Sequence, residues 1–256
     1  AGEAPLLYYF VALLYKIFGP HESIYRICNT IIFFIGLGAL FKIARRFLND
    51  FITASFVPLL IFVSPVAAYY ANNFLTDSTA LALVFMGWLQ FIRFNDTSSY
   101  KNFISSAVLF SLAGLLKITM AINLAALGCL AVYNLFTSIP RDKKSILTRA
   151  LKTLSPVLTG VLLIVAWNLY AIWFNRHHLS NGFLTTIMPW WHLDQPDRHE
   201  ITRMIIEDNR PIYYNDGVLY LLLLAIVILA SYSRRIPKYL NIITGILIVG
   251  GITFVN

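Results

Sequence analysis

Two ionisable residues interrupt long apolar runs of this 256-residue chain. Asp77 lies in the segment YYANNFLTDSTALALVFMGWL, and Lys117 lies in SLAGLLKITMAINLAAL. An ionisable side chain at membrane depth costs roughly 2.5–3.5 kcal/mol on insertion scales. Because ordinary packing does not require this cost, a functional role is the first hypothesis for both residues.

The two charges suit different chemistry. A carboxylate at Asp77 can act as a general base, bind a cation or hold a polar substrate. In the alternative interpretation, Asp77 or Thr76 caps the helix that begins at STALALVF, and for Asp77 the two roles are compatible. The Lys117 ammonium suits a phosphate group, and its alternative role is that of a snorkelling lysine that ends a helix. Tyr70 and Asn73, in the turn before Asp77, are candidate substrate-binding residues.

The composition indicates which elements must position these charges. The chain is 58% hydrophobic and only 12% charged, whereas soluble domains carry about 25% charged residues. We therefore expect an all-α, polytopic transmembrane bundle of about eight spans of roughly 20 residues each. The candidate spans are 24–46, 51–70, 74–92, 102–116, 118–136, 153–175, 217–233 and 239–256.

The remaining segments complete one predicted module over residues 1–256. Segment 5–18 is short, rich in Tyr and Phe and carries Lys16, which favours a helix lying in the membrane interface over a truncated span. The module divides into this helix and an outer turn (1–22), a six-span core (23–175), a long loop (176–216) and two further spans (217–256). The chain has no initiator Met and stops within an apolar run, so we expect a fragment of a longer protein.

The net charge of +8 is an orientation signal. The connections 42–50, 93–101, 137–152 and 234–238 hold 13 of the 20 basic residues but only three of the 12 acidic ones. The positive-inside rule assigns these connections to the cytoplasm, and nucleic-acid binding is not needed to explain the charge. Asp77 and Lys117 then face outward, which predicts a multi-pass plasma-membrane protein with its site toward the periplasm or exterior.

Loop 176–216 belongs to the same outer face and is rich in Trp, Tyr and His. Long loops of this kind are usually functional or disordered, and the aromatic content argues against disorder. His192 and Arg203 are candidate substrate-binding residues in it. His192, Asp194, His199 and Glu200 could assemble a metal site, but their spacing matches no zinc signature, so no metal ligand is assigned.

Several segments together resemble one family. They are GEAPLLYYFVALLYKIFGPHESIYRICNTIIFFIGLGALFKIARRF, SPVAAYYANNFLTDSTALALVF and AGLLKIT. Their order and spacing resemble the dolichyl-phosphate-mannose protein mannosyltransferase-like family, whose relatives include the bacterial lipid A aminoarabinose transferase. The similarity covers most of 1–136 and weakens beyond residue 150.

The resemblance implies a GT-C type glycosyltransferase. Such an enzyme moves a sugar from a polyprenyl-phosphate carrier to a lipid, glycan or protein acceptor on the extracytoplasmic face, with expected inversion at the anomeric carbon. Asp77 would match the family's second acidic position, and Lys117 the lysine that contacts the lipid phosphate. The principal catalytic Asp of the family would lie before residue 1, so the fragment alone is expected to be inactive.

Glu3 is a third implied site residue. It would match a position that helps bind a metal in the aminoarabinose transferase, where Lys-Pro follows the acid. Here Ala4 stands before Pro5, and this departure leaves the cofactor open, with a divalent metal as one option.

Two other classes of protein remain as alternatives. One is a transporter or lipid flippase that uses the Asp77/Lys117 pair, although such charges usually lie near the midplane of repeated halves. We find no internal repeat, and both charges fall at predicted hairpin tips. The other is a noncatalytic membrane scaffold, against which the polar, aromatic outer loop argues.

Overall fold

A computed structural model describes residues 3–137, 143–178, 183, 192–209, 212, 216–231 and 244–246. Helices and short connections account for these residues, and no strand occurs among them. The first helices are α1 (Leu6–Phe18), α2 (Glu22–Phe47), α3 (Phe51–Phe62), α4 (Pro65–Ala71) and α5 (Asp77–Thr97). They are followed by α6 (Tyr100–Leu116), α7 (Ala121–Thr137), α8 (Lys143–His177), α9 (Gln195–Arg203) and α10 (Asp216–Ser231).

The described helices include three that are long and apolar enough to cross a membrane. They are Glu22–Phe47, Ile118–Leu135 and Ala150–His177, and the bent pair α3–α4 is a fourth if it counts as one span. The predicted all-α membrane protein is thus found, but the eight spans are not confirmed. Helix α6 has only 17 residues, and α5 has acidic residues near both ends. The predicted span 239–256 lies almost entirely outside the described residues.

The predicted span 51–70 is not one straight helix, because this segment forms two helices that meet at an angle of 72°. Pro65 is the first residue of α4. A proline ring disfavours helical backbone in the preceding residue and removes a donor. Helix α3 therefore ends at Phe62, and α4 starts in a new direction that carries the chain toward the turn before Asp77.

Two other predicted elements differ in extent. Segment 5–18 forms α1, with Leu7 and Val11 buried while Tyr9 and Phe18 are exposed; this amphipathic pattern fits the predicted interfacial helix, whose depth in a membrane stays a prediction. The predicted loop 176–216 contains α9 and a π-helical turn over Met204–Asn209.

Small residues let the central helices approach closely. A Cβ atom on Gly36 of α2 would lie 2.5 Å from Ala82 of α5, and one on Gly160 of α8 would lie 2.0 Å from the Ser111 hydroxyl of α6. Such contacts are typical of helix packing in membranes. Around them, α5 to α8 bury an apolar core whose largest members are Phe91, Phe103, Phe110, Leu124, Leu127 and Leu130.

The antiparallel α5–α6 hairpin sets up two chemically different ends of the bundle. At one end, the start of α5 lies beside the end of α6, where the chain reverses through a 3₁₀ turn at Ile118–Met120. At the opposite end, Arg46 of α2 pairs with Asp96 of α5. The structure thus places Asp77 and Lys117 at one end of the bundle and Arg46, at the basic end of α2, at the other.

Candidate active site

Three charged side chains meet at the end of the bundle that holds the start of α5. The Lys117 ammonium lies 2.9 Å from Asp77 Oδ1 and 3.4 Å from Glu3 Oε1. The side chains are only 28% (Lys117), 26% (Asp77) and 21% (Glu3) exposed. We call these residues the acid–lysine cluster. The structure therefore brings together three of the four charged residues of the predicted site.

Backbone geometry explains how each member reaches the cluster. Asp77 is the first residue of α5, and a carboxylate in the first helical turn is favoured by the helix dipole. Lys117 ends α6 with extended backbone (φ −148°, ψ 113°), directly before the 3₁₀ turn. Glu3 is held because the next residue, Ala4, donates its backbone N–H to the Leu115 carbonyl at 2.8 Å.

Thr76 connects the elements of the cluster. This buried residue occupies the N-cap position of α5, yet its side chain makes no capping hydrogen bond. Its hydroxyl lies 2.8 Å from Glu3 Oε2, to which it donates, and 3.3 Å from the Leu116 carbonyl. Of the two residues of the capping alternative, Thr76 takes the cap position and Asp77 is the first helical residue, but the Thr76 hydroxyl serves the cluster and does not cap the helix.

The charge state of Lys117 follows from its neighbours. Partial burial opposes the charged form and lowers its pKa, but the Asp77 and Glu3 carboxylates outweigh burial, so the pKa of Lys117 lies above its ordinary value of 10.5. The lysine is thus a fixed cation at physiological pH. It does end a helix, as the snorkelling alternative requires, but two carboxylates hold its ammonium.

Tyr70 and Asn73 lie beside the cluster, but their described hydrogen bonds are made by backbone atoms. The carbonyls of both residues accept from the side-chain amide of Asn29, which is fully buried in α2. The sequence interpretation missed Asn29 and the role of Thr76. A polar residue within the apolar run of α2 was the available signal for Asn29.

The other two predicted substrate-binding residues are exposed residues of the predicted outer loop. His192 is exposed in a short helical turn, and Arg203 is the exposed last residue of α9. Their involvement in a site stays a prediction.

An apolar groove opens next to the cluster. It has a volume of about 530 Å³. Its walls come from the start of α1, the end of α6 and the second half of α8, and they include Pro5, Leu115, Trp167 and Tyr170. Leu115 and Leu163 also line a second groove of about 370 Å³ between α6 and α8. Apolar surface thus extends from the cluster along the bundle.

The donor set does not fit the divalent metal that was left open from the sequence. Lys117 lies between the two carboxylates, so a bound cation would have to displace a fixed ammonium. Among the described residues, no group of three His, Cys, Asp or Glu side chains is arranged to hold a metal ion.

The spanning helices define a membrane-embedded protein. Its candidate site lies at one end of the bundle, where the charged hairpin tips stand beside the apolar groove. The family model of the dolichyl-phosphate-mannose-protein mannosyltransferases matches residues 2–173, more than half of the chain. The chain belongs to this family, which makes it a GT-C type membrane glycosyltransferase. Comparison with curated proteins gave no match, and neither did comparison with solved structures.

Proposed function

We propose that this protein transfers a sugar from a polyprenyl-phosphate carrier to a hydroxyl of a lipid, glycan or protein acceptor on the extracytoplasmic face of the plasma membrane. The observation that carries the proposal is the 2.9 Å pair of Asp77 and Lys117 beside an apolar groove. Membership of the mannosyltransferase family supports the same reaction class.

The groove and the lysine suit the two parts of such a donor. An isoprenoid chain is apolar, and the groove presents Leu163, Trp167 and Tyr170 to it. An ammonium has three N–H donors, and Lys117 has two carboxylate neighbours, so one donor is left for a phosphate oxygen. A fixed cation at this position offsets the charge that develops on the leaving phosphate.

Asp77 is the proposed base. Its Oδ1 holds Lys117, and its second oxygen is available to accept the proton of the acceptor hydroxyl. The hydroxyl oxygen then forms the new bond to the anomeric carbon, while the bond from that carbon to the phosphate oxygen breaks. The proton goes to Asp77 and the electron pair to the phosphate, so a single displacement inverts the anomeric centre.

The proposed orientation of the protein in the membrane rests on the distribution of basic residues between the two ends of the bundle. The acid–lysine cluster lies at the end of α5 opposite to the Arg46–Asp96 pair. Arg46 belongs to a basic stretch at the end of α2 that also contains Lys42 and Arg45. The positive-inside rule favours the cytoplasm for this stretch and thus the exterior for the cluster.

A reconstituted transfer assay tests the proposal. The full-length protein is placed in liposomes with a radiolabelled polyprenyl-phosphate sugar and acceptor extract, as wild type, Asp77→Asn and Lys117→Ala. We expect transfer to fall about 10²- to 10⁴-fold in Asp77→Asn. Asp96→Asn is the matched control, because it removes the carboxylate near the other end of the same helix.

Two results would contradict the proposal. Wild-type transfer rates in both correctly inserted cluster variants would refute the site. Movement of the labelled lipid across the bilayer without any sugar transfer would instead indicate a flippase.

A further inference from the structure

Asn29 is a buried polar residue whose side chain forms hydrogen bonds through both ends of its amide. Its side chain is fully buried within α2. The amide Nδ2 lies 3.0 Å from the carbonyl oxygens of Tyr70 and Asn73 and 3.1 Å from that of Leu75, so its two N–H groups are shared among three acceptors. The amide Oδ1 accepts from the hydroxyls of Ser78 at 3.0 Å and Thr79 at 2.6 Å.

These five hydrogen bonds meet on one short segment. The three carbonyls belong to the end of α4 and the turn that follows it, so no regular helix can satisfy all of them. The two hydroxyls belong to the first turn of α5, which also contains Asp77. One side chain of α2 therefore fixes both the approach to Asp77 and the turn on which Asp77 is carried.

The contacts of Asn29 separate its role from that of the charged residues. All its described hydrogen bonds go to residues 70–79, and none goes to Glu3, Asp77 or Lys117. Thr30 provides a further link between α2 and the same turn, since its hydroxyl donates to the Ala71 carbonyl at 3.0 Å. A change at Asn29 should therefore shift the turn locally while α2 and α4 remain connected.

We propose that Asn29 is a positioning residue for Asp77, through which it controls the rate of sugar transfer. The inference rests on the proposed function of Asp77 as base. A base must lie within hydrogen-bond reach of the proton that it removes, and a misplacement of about 1 Å can cost about 100-fold in rate.

The test uses the isosteric substitution Asn29→Asp. It keeps an oxygen for the Ser78 and Thr79 hydroxyls but loses the amide donor that holds the three carbonyls. Asn168→Asp is the matched control, because within the described residues Asn168 donates to the Ile164 carbonyl of its own helix α8. Thr79→Val is a second, milder variant that removes the 2.6 Å hydrogen bond, and it serves if Asn29→Asp does not fold.

Each variant is assayed for sugar transfer in the Asp77 and the Asp77→Asn backgrounds, with thermal unfolding in detergent measured in parallel. In the Asp77 background we expect kcat to fall about 10- to 100-fold in Asn29→Asp, with the donor KM changed less than about twofold. In the Asp77→Asn background the further loss should be less than about twofold, because the positioned group is already gone. Thr79→Val should show the same pattern at smaller amplitude, and Asn168→Asp should lower kcat in neither background.

The possible failures are distinguishable. If Asn29→Asp and Thr79→Val keep kcat within twofold of the wild type, or lower it equally in both backgrounds, the positioning role is refuted while the role of Asp77 stands. If Asp77→Asn alone transfers sugar at the wild-type rate, the proposed function of Asp77 fails and this inference fails with it.

Discussion

Helix α5 contributes a carboxylate to an ion pair at each end of the bundle, and the two ends differ in burial and charge balance. Asp96 pairs with Arg46 where these side chains are 34% and 45% exposed. Asp77 pairs with Lys117 where both are little more than a quarter exposed, and Glu3 adds a second carboxylate. The first pair is close to a surface salt bridge, which typically contributes 0–1 kcal/mol. Burial makes the second arrangement costly to assemble, so it is the end where we expect function.

The largest expected contrast comes from removing the cation at each end. Lys117→Met removes the only cation of the acid–lysine cluster, and transfer should fall about 10²- to 10³-fold, as for the loss of a donor to a developing oxyanion. Arg46→Met removes a cation of the more exposed pair and should leave transfer within about twofold. Initial rates of transfer in proteoliposomes measure both effects. Equal losses in Lys117→Met and Arg46→Met would show that the two ends do not differ in function.

A smaller effect is expected from neutralising the second acid of the cluster. Glu3→Gln keeps an oxygen for the Thr76 hydroxyl but weakens the hold on Lys117. Transfer should fall about tenfold, which corresponds to about 1.4 kcal/mol in the activation barrier. The comparison is with Asp96→Asn in the same assay. If Glu3→Gln matches that control, Glu3 has no part in the site.

The stability contributed by Lys117 should depend on pH. The pKa of Lys117 is raised by its carboxylate neighbours in the folded state, so its ion pairs stabilise the fold below the ordinary value of 10.5 and lose this contribution as pH rises through the higher folded pKa. The Tm difference between wild type and Lys117→Met, measured in detergent from about pH 7 to pH 11, should stay constant until the top of that range. A difference that shrinks near neutral pH would contradict the raised pKa.

The smallest effect concerns the start of α3. Asp50 caps this helix, since its carboxylate accepts from the Thr53 N–H at 2.7 Å and from the Thr53 hydroxyl at 2.8 Å. These hydrogen bonds lower the pKa of Asp50, so the stability they provide is present above the unfolded pKa and is lost as pH falls. Asp50→Ala should lower Tm slightly at neutral pH and leave transfer unchanged. A loss of transfer would show that this end also contributes to the reaction.

The residues of the candidate site differ in how visible they are in the sequence. Asp77 and Lys117 stand out because a charge within an apolar run is costly wherever the chain folds. Glu3 is an ordinary acid by type and drew attention only through its position on the predicted outer face and a family resemblance. Asn29 was missed because its partners are three backbone carbonyls and two hydroxyls. No pattern of side chains in the sequence relates these partners to Asn29.

The helices were also only partly predictable from the sequence. Apolar content predicted the all-α membrane class, since in a bilayer the backbone must satisfy its own hydrogen bonds. The number and straightness of spans did not follow, because hydropathy does not measure the break before Pro65. His192 and Arg203 were selected by residue type in a loop, and their involvement in the site stays a prediction.

The sequence by itself determined the membrane class, the family resemblance and the two charges that need a reason to be there. Only the tertiary structure decided that Glu3 and Lys117, 114 residues apart, share a hydrogen bond and that Asp77 joins them. The physical reason is that insertion cost and helix formation are local properties of a segment. The pairing of charges depends instead on how the start of α1, α5 and α6 pack at one end of the bundle.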